Sequence, residues 1–149
     1  MSVVNKWYRA AFAGQYSATA ARRVDWVTDT IKCTLHTVTY SFAQDTDDFF
    51  NDATNELSTA GGYTAGGVTL GTKSIGVATT LQTQLIAANA QWTSASFTAR
   101  QAVVWSDTAG ASSTDPLMMN INFGADQTVS SGTFTIAWAA DGVGKVTVA

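Results

Sequence analysis

The stretch Gly61-Gly62-Tyr63-Thr64-Ala65-Gly66-Gly67, followed at once by Val68-Thr69-Leu70, limits this chain more than any other. Glycine tolerates positive φ because it has no Cβ, so two glycine pairs this close mark a backbone path that few other residues could follow. Such a loop either cradles a phosphate or turns the chain sharply between β elements. A phosphate loop places GxxxxGK[ST] or GxGxxG between a strand and a helix. Here the glycines precede strand-like residues, and the first lysine, Lys73, lies on the far side of that strand. The spacing therefore predicts a tight connection in a β fold, with Tyr63 packed across it.

Composition points the same way. The chain has 149 residues, enough for one domain with a real core. Charged residues make up only 13%, about half the usual share. Threonine, serine, asparagine and glutamine take their place on the surface, and a Thr- and Gly-rich chain with one proline and five tryptophans reads as mainly β. Few charges also leave an exterior that is easier to bury against other subunits. The net charge of −3 argues against nucleic acid as a partner, since Arg22-Arg23 is the only adjacent basic pair. The one cysteine, Cys33, rules out an intrachain disulfide. Met1–Lys6 lacks the apolar run of a signal peptide, and no stretch is long and apolar enough to suggest a membrane helix.

Periodicity divides the chain into short elements. Val4, Trp7, Tyr8, Ala11 and Phe12 follow helical spacing, predicting a short amphipathic helix within Val4–Gln15. That helix either plugs one end of the β core or docks on a neighbour. Ile31, Cys33 and Leu35 alternate with Lys32, Thr34 and His36, the pattern of a half-buried strand whose polar face carries the histidine. In the acidic segment Gln44–Asp52, Thr46 is placed to cap a helical turn opening on Asp47 and Asp48. Short runs recur after the glycine loop: Val68/Leu70, Ile75/Val77, Leu81/Leu85, Ala99–Trp105, Leu117–Phe123 and Thr133–Trp138, with Asp107–Pro116 as a polar connection. Spacing of this kind predicts a single antiparallel β-sandwich or barrel-like domain over 28–149, preceded by an N-terminal helix or docking arm over 1–27.

Catalytic and metal chemistry find little support. His36 is the only histidine, and no GxSxG elbow accompanies it. Zinc requires several His or Cys ligands, and the chain has one of each. Asp45, Asp47, Asp48 and Asp52 offer oxygen ligands for calcium, with Glu56 at the twelfth position from Asp45. The sixth position, where an EF-hand loop needs glycine, is Phe50. A glycosidase would need two arranged acids, and none stand out. No enzyme activity, metal or cofactor is expected. Trp7, Trp105 and Trp138 hold core-like positions, whereas Trp26 and Trp92 stand outside clear strands and are candidates for an interface between subunits.

Taken in order, Asp29-Thr30-Ile31-Lys32, Gln44-Asp45-Thr46, Asn55-Glu56, Gly62–Leu70, Trp92, Phe97-Thr98-Ala99-Arg100, Phe123-Gly124-Ala125-Asp126-Gln127 and Gly132–Trp138 span nearly the whole chain. Together they resemble a family of small structural proteins from tailed-bacteriophage virions. Two stretches depart from that pattern: Lys73–Trp92 carries no acid, and Met1–Asp25 is individual to this chain. The resemblance implies a non-enzymatic virion component made in the host bacterial cytoplasm. On this expectation it is a trimeric decoration protein on the capsid surface that clamps major capsid subunits, with a tail or fibre protein contacting the host surface as the alternative. Trp7, Tyr8, Arg9 and Phe12 would then form the docking surface, and Arg22 and Arg23 would pair with acidic groups on the shell. An ordinary N-terminal helix covering its own core accounts for the same residues.

Overall fold

The computed structural model describes residues 3–18, 22–77 and 81–147. Its strands are β1 (Val4–Trp7), β2 (Thr30–His36), β3 (Val68–Thr69), β4 (Ser74–Gly76), β5 (Gln82–Ile86), β6 (Ala90–Asp107), β7 (Leu117–Ile136) and β8 (Gly144–Thr147). Among the described residues one α-helix, α1 (Arg9–Gln15), follows β1. The strands form two antiparallel sheets, one of five strands in the order β1-β7-β6-β2-β3 and one of three in the order β4-β5-β8. The expected mainly β, sandwich-like fold is what forms, and the sheets do not close into a barrel.

The β6–β7 hairpin organises everything else. The two separate strands expected at Leu117–Phe123 and Thr133–Trp138 are one 20-residue strand, and the Ala99–Trp105 run belongs to an 18-residue partner. Neither strand is straight. The rings of Phe123 and Phe134 lie 6.0 Å apart, whereas eleven residues of extended strand would span about 36 Å. The ladder slips register between Trp92 and Ala95 and again between Ala95 and Phe97, with Ser94 at φ 51° and Ser131 at φ 49°. Bulges of this kind sharpen twist and bend, and here they fold the hairpin back over an aromatic cluster of Tyr63, Trp92, Phe97, Phe123 and Phe134.

The glycine loop closes one side of that curl. Ala60 and Tyr63 exchange backbone hydrogen bonds of 3.1 and 2.9 Å around Gly61 (φ 55°) and Gly62 (φ 79°), the two positive φ values that a type I′ turn demands. The Ser96 N–H donates to the Gly61 carbonyl at 2.8 Å. A Cβ on Gly61 would lie 2.2 Å from the Ser96 carbonyl oxygen, and one on Gly67 (φ 68°) 2.0 Å from that of Cys33. Tyr63 is buried across the loop as expected. Its hydroxyl donates to Glu56 Oε1 at 2.5 Å and accepts the Leu35 N–H at 3.1 Å, while the Gly66 N–H reaches the same Glu56 oxygen at 2.6 Å.

Three local expectations are corrected. Val4–Trp7 is not helical. It pairs with Asn122–Met119 as the sheet's edge strand, and the helix begins only at Arg9. Of the residues at helical spacing only Ala11 and Phe12 lie in α1; Tyr8 is the extended residue before it, buried with Tyr40, Trp105 and Leu117, and Val4 and Trp7 continue the spacing by chance. The N-terminal segment is thus built into the main sheet, and no separate arm is seen among the described residues. His36 is on no exposed face. Segment 37–57 covers that side of β2, so Thr34 and His36 are as buried as Cys33 and Leu35. Thr46 caps nothing; the helical turn lies at Phe50–Asp52, and its acid is Asp52, whose carboxylate accepts the Asp48 and Phe49 N–H groups.

Both faces are buried where β2, β6 and β7 lie side by side. Ile31, Cys33, Leu35, Ala102, Val104, Met119 and Ile121 face the small sheet and the curled hairpin. Val103, Trp105 and Leu117 face Tyr8, Tyr40, Phe42, Phe50 and Ala53.

Candidate functional site

Trp7, at the end of β1, meets Phe12 of α1 edge-on, with ring centroids 5.0 Å apart. Residues 22–26 return across α1, and Gly14 permits this approach because a Cβ there would lie 2.4 Å from the Arg22 carbonyl oxygen. The Gln15 amide donates to the Val24 carbonyl at 3.3 Å, and the Trp26 indole N–H to the Ile86 carbonyl at 3.0 Å. These contacts leave an open groove of about 450 Å³ between α1, the 24–26 segment and the small sheet, walled mainly by Trp7, Phe12, Val24, Trp26, Ile75 and Leu85. Phe12 is 40% exposed and Ile75 57%. Tyr16, Val27 and Val77, each one or two residues along the chain from a lining residue, are exposed as well.

Three of the eight expected docking residues, Trp7, Phe12 and Trp26, therefore come together here. Trp26, at 3% exposure, lies in the floor, where it packs on its own core instead of standing free for another subunit. Tyr8 is fully buried beneath the sheet, its hydroxyl 2.5 Å from that of Tyr40, and has no surface to offer. Trp92 is likewise buried, inside β6 against Tyr63 and Phe134.

The arginines are engaged within the chain. Arg9 donates to the Asp45 carbonyl at 3.2 and 2.8 Å, and Arg23 to that of Ser17 at 3.2 and 2.9 Å. Arg22 pairs with Asp48 and lies over the Phe49 ring, so its acidic partner is internal. Ile75 escapes sequence reasoning because a three-residue strand cannot show which face it buries, and Val24 and Leu85 because they reach the groove from a loop and from the small sheet, which only tertiary packing brings together. The run of exposed apolar residues around Ile75 and Val77, with no acid between Lys73 and Trp92, was the available signal.

The candidate catalytic and metal groups are spent on structure. His36 Nδ1 faces the Thr54 carbonyl at 2.8 Å and Nε2 the Thr34 hydroxyl at 3.0 Å. Burial lowers the imidazole pKa to about 4, against the smaller opposing effect of the Thr54 bond, so the ring is neutral near pH 7. Burial alone pushes the Cys33 thiol up to about 12. Tyr8, Tyr40 and Tyr63 are also shifted upward, first by burial. The four aspartates of the acidic segment serve different partners: Asp45 meets Arg9, Asp48 meets Arg22, Asp47 accepts the Ala43 N–H, and Asp52 holds its own turn. Among the described residues, no three His, Cys, Asp or Glu side chains converge as metal ligands.

Set against family models, curated proteins and solved structures, the chain matches none of them.

Proposed function

We propose that this chain is a non-enzymatic structural protein of a tailed-phage virion, a decoration protein that binds major capsid subunits on the outer surface of the head. The observation that carries the reading is the apolar groove of Trp7, Phe12, Val24, Trp26, Ile75 and Leu85, with exposed apolar neighbours, on a chain with few charges. Exposed apolar surface of this kind marks a place where another protein docks. The ordered motifs from Asp29 to Trp138 supply the class of partner through their resemblance to virion proteins.

The mechanism is binding alone. A protein that binds the closed shell and not the opened one stabilises the closed state by mass action. A trimeric arrangement would multiply each modest footprint through effective concentration. Co-sedimentation with mature heads tests the proposal: the protein should bind at saturable, high occupancy, whereas binding to isolated tails alone would transfer it to the tail or fibre class.

A further inference from the structure

A second groove, of about 330 Å³, lies on the opposite face of β1. The alternation of β1 places Asn5 and Trp7 toward one side of the sheet and Val4 and Lys6 toward the other. The register sets Lys6 opposite Asn120 and Val4 opposite Asn122. Arg100 joins them from β6, beside the register slip between Ala99 and Gln101, and Phe42 supplies an aromatic wall.

The donors in this groove outnumber its acceptors. The Lys6 ammonium has no ion-pair partner among the described residues. Arg100 reaches Asp126 through one terminal nitrogen at 3.3 Å, and its Nε is buried without a hydrogen-bond partner. Asn122 uses its amide oxygen on the Gly124 N–H at 2.8 Å, which leaves its NH₂ to donate. That Nε is closed off from the groove, but the Arg100 side chain is 29% exposed, so its remaining terminal N–H groups stay open to an acceptor there. In a chain of net charge −3, two cations answered by one carboxylate form a local positive site.

We propose that this groove binds an acidic monosaccharide of the uronic-acid type. The carboxylate would sit between Lys6 and Arg100, hydroxyls would meet the Asn122 amide, and the ring would lie against Phe42 and Val4. Guanidinium and ammonium groups favour a carboxylate. The groove's volume and mixed apolar and amide walls suit a six-membered ring better than a bare anion, since ligand sites combine apolar walls with a few placed polar groups. The inference does not depend on docking at the α1 groove.

The test is a titration of the full chain with D-glucuronate, glucose and acetate, followed by amide chemical shifts. Saturable shifts confined to β1 and the Arg100, Asn120 and Asn122 region are expected with glucuronate, at an affinity on the order of millimolar for so small a ligand. Glucose and acetate should each bind at least about tenfold more weakly, and Lys6→Gln should weaken glucuronate by a similar factor. Arg100→Gln should do the same, with its thermal melt recorded alongside because the change also removes the Asp126 pair. Acetate binding as tightly as glucuronate would overturn the sugar assignment. Lys6→Gln binding glucuronate unchanged, or no saturable shift with the native chain, would overturn the site.

Discussion

Gly67 sits under a tight steric limit: φ is 68°, and a Cβ would meet the Cys33 carbonyl oxygen at 2.0 Å. Gly67→Ala should therefore lower stability by roughly 2–4 kcal/mol through combined strain and clash. Gly71→Ala, with nothing within 4 Å of its Cβ position, should change stability by less than about 0.5 kcal/mol. Equal denaturation midpoints for the two variants would refute this account of the loop. His36 makes a separate prediction. Its pKa falls from 6.5 to about 4 on folding, so the native state favours the neutral ring. That contribution is fully present above about pH 6.5 and is lost as pH falls toward 4, at most roughly 3 kcal/mol from this group. Because the chain has one histidine, imidazole proton shifts followed against pH would read its pKa directly, and a native value near 6.5 would contradict the buried placement. The need for glycine was legible in the sequence, since positive φ is a property of the residue itself. The burial of His36 was not, because the cover over it comes from segment 37–57, whose acidic turn reads as exposed in sequence.

Among the elements, the β6–β7 hairpin decides how the sheet curls, and its bend rests on two serines in the left-handed region. Ser131→Gly should relieve that strain and raise stability by up to about 1 kcal/mol, measured by thermal melting. A destabilised variant would mean that Ser131 is not held at positive φ. The alternations at Leu117–Phe123 and Thr133–Ile136 were readable, but their union into one strand was not, because Gly124 and Ser130-Ser131-Gly132 look like turn residues. β1 shows the reverse failure: four residues are too few to separate period 2 from period 3.6, and pairing with β7 settled the matter. Of the site, Trp7 and Phe12 were legible as aromatic members of one docking face in the N-terminal segment, whereas Ile75 and Leu85 reach the groove only through tertiary packing of the small sheet.

For the whole molecule, the two grooves flank β1 on opposite faces of one edge strand, apolar toward α1 and polar toward Arg100. The apolar one carries the proposed docking function, so polar changes at its exposed rim should disrupt binding and leave folding intact. Phe12→Asp and Ile75→Asp, at residues 40% and 57% exposed, should each shift the melting temperature little and reduce occupancy on mature heads by about tenfold or more, because each would bury an unpaired charge against the partner's apolar surface. Co-sedimentation of the native chain and these two variants with mature phage heads is the most direct measurement. The account predicts saturable binding by the native chain and its loss in both folded variants, and head binding that is absent in the native chain or unchanged in the variants would contradict it.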